Sequence, residues 1–136
     1  MIRPIVHDPI FLAQLSAPAT AADLPVAQDL IDTLTANLDR CVGMAANMIG
    51  EKKRIIVVAR GPMVMAMLNP KILSASGEYE TEEGCLSLAG TRKTKRFRTI
   101  RVSWQDMQMK EHTGTMEGFQ AQIVQHEIDH CDGILI

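Results

Sequence analysis

The stretch Gln125-His126-Glu127-Ile128-Asp129-His130 decides how this chain is interpreted. Residues four apart lie on one face of an α-helix, so His126 and His130 can hold a single metal ion there. Glu127 is rotated off that line, where it can handle the proton of a water molecule without binding the metal itself. The pattern predicts a reaction centre carried on a helix. Because short motifs recur by chance, a solvated face or a satisfied core histidine is the alternative.

A second stretch, Glu83-Gly84-Cys85-Leu86-Ser87, offers the third ligand that a catalytic site with an open position needs. A thiolate suits Zn²⁺ or Fe²⁺, although free cysteine is also among the most buried residues in proteins. Cys131 competes for this role, but it is turned about 100° around the helix from His130. Cys41 is the weaker competitor. The residues alone make Cys85 a candidate thiolate ligand, with a buried structural thiol as the alternative.

Hydrophobic spacing predicts the elements around these motifs. An amphipathic helix with Pro25 in its first turn runs to about Asp39, and a second helix covers residues 119–130. Runs of β-branched residues and alternation predict strands at residues 55–59, 63–68, 72–81 and 99–104, with a turn at Asn69-Pro70. We expect an α+β fold in which antiparallel strands surround a central metal-binding helix.

Composition limits the class of protein. The chain has 136 residues, 46% of them hydrophobic and 22% charged, which predicts one domain over residues 1–136. A net charge of −2 argues against general affinity for nucleic acids. No apolar run approaches the roughly 20 residues that cross a bilayer, and the first residues lack the apolar core of a signal peptide. With three cysteines, an odd number, we expect a cytoplasmic protein without membrane contact.

The motifs at Cys85 and His126 resemble the second and third signature motifs of peptide deformylases. These enzymes remove the formyl group from the N-terminal methionine of new bacterial and organellar proteins. The first family motif, G-x-G-L-A-A-x-Q, is similar to Cys41-Val42-Gly43-Met44-Ala45-Ala46-Asn47-Met48. The three stretches occur in family order at family-like separations, so the resemblance covers nearly the whole chain.

The resemblance implies roles for five residues. Cys85, His126 and His130 would bind one divalent metal ion, most often Fe²⁺ in such enzymes, with Zn²⁺ and Ni²⁺ as alternatives. Glu127 would act as general base and then as general acid. The backbone N–H of Leu86 would point at the oxyanion that develops on the formyl group. The implied substrate is an N-formylmethionyl peptide.

Four further residues would contact the substrate by the same resemblance: Gly43, Met44, Met48 and Arg92. Met48 departs from the family, because it replaces a glutamine whose amide donates to the developing oxyanion, and methionine has no donor. Losing one such donor costs about 10²–10³ in rate. Asn47 carries an amide, but adjacent residues point in different directions. We expect a deformylase with reduced activity; the alternative is a non-catalytic metal-binding paralogue with a binding or regulatory role.

A basic run between Arg92 and Arg101 follows the second motif. A solvated strand and loop is the favoured interpretation. Weak contact with ribosomal RNA, or with a peptide backbone, is the functional alternative. The sequence does not indicate an oligomeric state.

Overall fold

One antiparallel sheet organises the chain in the computed structural model, which describes residues 1–135. Its strands follow chain order: β1 (Gly43–Ala45), β2 (Ile55–Arg60), β3 (Met63–Cys85), β4 (Leu88–Gln105) and β5 (Glu111–Glu117). The helices are α1 (Pro9–Leu12), α2 (Leu24–Ala36) and α3 (Gly118–Cys131), with 3₁₀ turns at Ala21–Asp23 and Ala46–Ile49. The predicted α+β class is confirmed, because antiparallel strands and helices pack together.

Strand β2 shows why its apolar run is continuous. Ile55 and Val57 belong to a core shared with α2, whereas Ile56 and Val58 belong to a second core shared with α3. Successive side chains of a strand point to opposite faces, so both faces of β2 are covered and all four residues are fully buried. The sheet therefore lies between α2 and α3 at this point.

The turn predicted at Asn69-Pro70 is wrong. Strand β3 continues through these residues, and its pairing with β4 shifts register between Leu68 and Lys71. Asn69 takes a left-handed backbone with φ 51°, which asparagine tolerates better than most residues. Its side chain also exchanges hydrogen bonds with the Ala19 backbone at 2.7 and 2.9 Å. The residues that resemble a turn form an irregularity inside a long strand.

Strand β4 is also longer than the predicted 99–104, since it begins at Leu88 and takes up the whole basic run. Helix α3 agrees with the predicted residues 119–130 to within one residue at each end. Gly118, the first residue of α3, has φ 62°, which lets the chain leave β5 sharply. Most of α3 is buried, including both histidines, so it lies against the sheet as the expected central helix.

Candidate metal centre

The β3–β4 hairpin carries Cys85 to helix α3. Cys85 is the last residue of β3 and pairs with Leu88, so that only Leu86 and Ser87 lie between the two strands. Cys85 Sγ lies 3.3 Å from His130 Nε2, and the rings of His126 and His130 are 5.1 Å apart between centroids. The hairpin and the helix thus bring the sulfur and both imidazoles to one point.

The three side chains fit a metal ion. Each offers one ligand atom, and these atoms all lie within 4.8 Å of one another. Ligands at about 2.3 Å for sulfur and 2.0–2.1 Å for nitrogen around a tetrahedral ion lie about 3.6 Å apart. One thiolate and two imidazoles also suit Fe²⁺ or Zn²⁺. The donor set and its spacing are therefore those of a cation site with an open position.

The other two cysteines do not compete with Cys85 as the thiolate ligand. Cys131 is fully buried, and burial raises the pKa of its thiol to about 12. Burial likewise raises the pKa of Cys41 to about 11, and its Sγ donates to the Gly43 carbonyl at 2.9 Å. Neither cysteine is part of the three-residue cluster, and a thiol must lose its proton to bind a metal.

Glu83 orients the first histidine. Its Oε1 lies 2.8 Å from His126 Nδ1, which leaves Nε2 as the ring's free nitrogen. Gln122 Nε2 donates to the other oxygen of Glu83 at 2.9 Å. Burial alone would raise the pKa of Glu83, but hydrogen bonds from His126, Arg96 and Gln122 outweigh it and lower the pKa to about 2. A carboxylate behind a ligating imidazole fixes its orientation and its tautomer.

The basic run was interpreted as a solvated strand and loop, and this interpretation is wrong for Arg96. Lys93, Lys95 and Arg98 are exposed as expected, but the Arg96 side chain is only 4% exposed. Its Nη2 lies 2.7 Å from Glu83 Oε1, and its Nη1 lies 2.7 Å from Asp129 Oδ2. Sequence reasoning missed this group because composition alone cannot single out one arginine. The available signal was Asp129, an acidic residue one position before His130.

Glu127 is buried beside the donors. Burial raises its pKa to about 7, and Oε1 has no hydrogen-bond partner among residues 1–135. A Cβ added at Gly43 would meet Glu127 Oε2 at 2.9 Å and Ile123 Cγ2 at 2.7 Å. Gly43 is thus the residue that lets β1 approach α3 so closely. The glutamate is held where it can exchange protons near neutral pH.

In the metal-free protein, the pKa values of the two histidines are shifted in opposite directions. Burial favours the neutral form of His126, but the neighbouring Glu127, Cys85 and Glu83 outweigh it and raise its pKa to about 10. Burial lowers the pKa of His130 to about 3, and the positive charges of His126 and Arg96 act in the same direction. A metal binds the neutral ring, so the raised pKa of His126 opposes metal binding, whereas the lowered pKa of His130 does not.

A cleft of about 740 Å³ opens over this group, within the usual range for small-ligand sites. Cys85, His126 and Glu127 lie in its wall together with Gly43 and Leu86. The apolar part of the wall contains Leu38, Val42, Leu88, Phe119 and Ile123. The cleft therefore combines reactive polar groups with an apolar surface.

The wall of the cleft contains only part of the group that was expected to contact the substrate. Met44, Met48 and Arg92 are not among the residues that line the cleft. Met44 is fully buried in the core beside α2, and Arg92 donates to the Ala89 carbonyl at 3.4 Å. Met48 is buried behind the donors, with its Sδ 4.0 Å from Cys85 Sγ. Of the four expected contacts, only Gly43 lines the cleft.

Asn47 does not replace the missing amide donor. Its Nδ2 donates to the His130 carbonyl at 3.0 Å and to the Leu12 carbonyl at 3.4 Å. These bonds hold the buried amide on the backbone, as its position next to Met48 in sequence predicts.

An α+β fold with a Cys/His/His donor group beside a buried glutamate is the arrangement of a metal-dependent hydrolase. The family model for polypeptide deformylase matches residues 2–136, and the chain belongs to that family. It is 55% identical to a peptide deformylase of Clostridium beijerinckii over 136 residues, which are all of both chains. It is also 38% identical to peptide deformylase 2 of Clostridium acetobutylicum over 128 residues, covering 91% of this chain and 85% of that one.

Solved structures of peptide deformylases have a similar fold. A crystal structure of class I type b peptide deformylase from Acinetobacter baumannii with Met-Ala-Ser bound superposes with a TM-score of 0.88 at 30% identity, covering 99% of this chain and 97% of that one. Peptide deformylase from Thermotoga maritima gives a TM-score of 0.88 at 29% identity, covering 99% and 95%. In residues 1–135, we find no helix that is both long and apolar enough to span a membrane.

Proposed function

We propose that this chain removes the formyl group from N-formylmethionyl peptides, with one divalent ion, Fe²⁺, bound by Cys85, His126 and His130. The observation that carries the proposal is the convergence of these three donors beside Glu127 in a cleft with an apolar wall. The Acinetobacter relative supports the substrate class, because its crystal structure holds Met-Ala-Ser, a peptide with an N-terminal methionine. We also propose that residues 1–136 act as one deformylase-like domain.

A bound divalent ion would lower the pKa of a water molecule and polarise the formyl carbonyl. Glu127 would accept the proton of that water, since its own pKa is raised to about 7. The same carboxyl would then return the proton to the leaving amine. Glu83 would hold the His126 ring in place from behind through its contact with Nδ1. The backbone N–H of Leu86 at the hairpin tip would donate to the oxyanion.

Because Met48 replaces the family glutamine, we expect a lower rate of formate release. The buried thioether cannot donate a hydrogen bond, and the adjacent Asn47 amide is committed to backbone carbonyls. Loss of one oxyanion donor costs about 10²–10³ in turnover. The same observation favours the second candidate, a metal-binding paralogue without catalytic activity.

Formate release from formyl-Met-Ala separates the two candidates. The Fe²⁺-loaded protein is compared, without oxygen, with its Met48→Gln and Cys85→Ser variants. We expect slow release by the wild type, faster release by Met48→Gln and none by Cys85→Ser. Equal rates for wild type and Cys85→Ser would contradict the metal assignment. No release by either wild type or Met48→Gln, with Fe²⁺ bound at one equivalent, would favour the paralogue.

Contact with the ribosome remains a prediction. The exposed part of the basic run faces solvent on β4 and consists of Lys93, Lys95, Arg98 and Arg101. Glu82 and Glu80 of β3 lie opposite Lys93 and Lys95, and Lys95 Nζ also lies 3.4 Å from Glu78 Oε1. Because acidic side chains offset the cations, we propose at most a weak contact with ribosomal RNA.

A further inference from the structure

The N-terminal segment reaches the tip of the β3–β4 hairpin. His7 Nδ1 lies 3.1 Å from the Ser87 carbonyl oxygen, across 80 positions of the chain. A carbonyl oxygen only accepts, so the ring must carry a proton on Nδ1 and donate it. Ser87 directly follows Leu86, whose N–H is the proposed oxyanion donor, and lies two positions after Cys85. A side chain from outside the sheet therefore contacts the stretch that holds two parts of the proposed site.

The β3–β4 ladder is irregular directly behind this tip. Gly84 is opposite Thr91, but the next residue, Cys85, is opposite Leu88, so the pairing shifts register. Residues 89–90 are extra on β4 at this point, and such a bulge interrupts the hydrogen bonds of a ladder. The two-residue tip is thus separated from the regular part of the hairpin, and a contact from outside the ladder can fix its conformation.

Burial makes the His7 contact important for the Ser87 carbonyl. Ser87 is 2% exposed, so water has little access to its polar groups. Its Oγ also has no hydrogen-bond partner among residues 1–135. A buried carbonyl without a partner is costly in free energy. Loss of the ring would therefore favour other backbone conformations of the tip, in which this oxygen finds a partner.

The segment that carries His7 is itself anchored on the protein. The Val6 N–H donates to the Met48 carbonyl at 2.8 Å. On the other side of His7, the Asp8 side chain caps helix α1, which buries Leu12 completely. Because both neighbours of His7 are held in place, the ring has a fixed base from which it can hold the hairpin tip.

We propose that His7 is a positioning residue that fixes the hairpin tip and with it the Leu86 N–H. Its expected effect on the rate rests on the proposed function. The oxyanion forms only in the transition state, so a misplaced donor lowers kcat while substrate binding is retained. Because Met48 supplies no hydrogen-bond donor, the rate depends more heavily on the Leu86 N–H than it would with the family glutamine.

The alternative is that the His7 bond only fastens the N-terminal segment to the protein. Two variants form a matched pair: His7→Leu keeps an apolar side chain without a donor, and His7→Asn has an amide N–H at the position of Nδ1. His7→Ala replaces His7→Leu if the leucine variant does not fold. Ile10→Ala changes a side chain of the same segment that is 78% exposed, and it is the control. Thermal unfolding of the Zn²⁺-loaded proteins checks the fold of each variant.

The order of the tip is measured by ¹⁵N relaxation of the Zn²⁺-loaded protein, which requires no turnover. We expect order parameters of about 0.85 at Leu86 and Ser87 in wild type, Ile10→Ala and His7→Asn, and below about 0.6 in His7→Leu. Val57 of the buried strand β2 is the internal reference and should stay rigid in every variant. Unchanged values at the tip in His7→Leu would overturn the proposal. Equal losses at Val57, or no recovery in His7→Asn, would also overturn it.

Formate release from formyl-Met-Ala, expressed per bound Fe²⁺, is the second measurement. We expect His7→Leu to lower kcat by about 10–10²-fold with KM within about threefold, and His7→Asn to recover most of the rate. Loss of tip order in His7→Leu without formate release by wild type would keep the positioning role and reject the deformylase activity. Formate release with equal kcat in wild type and His7→Leu would keep the activity and reject the positioning role.

Discussion

Arg96 binds Glu83 through two nitrogens, with Nη2 2.7 Å from Oε1 and Nε 3.0 Å from Oε2. Bidentate pairs of this kind are strong and fix the orientation of both groups. Glu83 Oε1 in turn contacts His126 Nδ1 at 2.8 Å. Arg96 of β4 thereby orients the His126 ring of α3 through the carboxylate of Glu83 in β3.

Replacing Arg96 by leucine should destabilise the metal-free protein by about 3–5 kcal/mol, because Glu83 and Asp129 lose a buried partner. Urea unfolding followed by circular dichroism measures the change. Arg98→Leu is the matched control: Arg98 is exposed and lies 4.8 Å over the Tyr79 ring, a contact worth about 0.5–1 kcal/mol at such sites. Similar losses of stability in the two variants would show that the buried Arg96 contacts contribute no more than the exposed contact of Arg98.

Acid should destabilise the metal-free protein through Glu83. Its pKa is lowered from 4.5 to about 2 in the folded chain, so the unfolded state binds this proton more readily. The stability it contributes is complete above pH 4.5 and is lost as the pH falls towards 2. Urea unfolding between pH 6 and 2.5 should therefore show a smaller acid loss in Glu83→Gln than in wild type. Glu80→Gln, an exposed change on the same strand, should follow the wild-type curve; parallel curves for Glu83→Gln would refute the prediction.

Replacing Glu127 by glutamine should keep the metal and lower formate release by about 10²–10⁴, the usual contribution of a proton-transferring group. Glutamine has nearly the same shape, so the buried position remains filled. Metal content by mass spectrometry and formate release are measured on the same sample. Glu117→Gln, at the exposed residue before α3, is the control and should retain turnover. Unchanged turnover in Glu127→Gln would remove that residue from proton transfer.

Replacing Gly43 by alanine should cost about 1–3 kcal/mol of stability and reduce turnover, because the new methyl group overpacks against Ile123 and Glu127. Thermal unfolding and formate release measure the two effects. Gly114→Ala is the matched control, since its Cβ would meet the Trp104 ring at an ordinary 3.5 Å. If both variants were equally stable, the close approach of β1 to α3 would not require glycine.

The sequence predicted the parts of the site that depend on local geometry. His126 and His130 share one face because they are one helical turn apart, and α3 forms where the spacing indicates. The β-branched run at residues 55–59 likewise indicated the strand that forms there as β2. Cys85 was predicted as the third ligand from its residue type and motif, and the structure brings its sulfur close to the rings.

Features that depend on tertiary partners were not predictable. Arg96 looks like its exposed neighbours until Glu83 and Asp129 are placed around it in space. Asn69-Pro70 is typical of a turn, but hydrogen bonds to Ala19 stabilise it inside β3. The Asn47 amide could be identified from the sequence, whereas its hydrogen bonds to the His130 and Leu12 carbonyls could be identified only from the fold.

The donors come from a hairpin tip and from a helix 41 positions further along, as the numbers of Cys85 and His126 give. A chain whose helix has not yet docked has no assembled pocket for a cation, so metal uptake should accompany the last packing step of folding. Chelators would then destabilise the fold itself, and a shortage of the metal ion would leave a population of looser, protease-sensitive molecules.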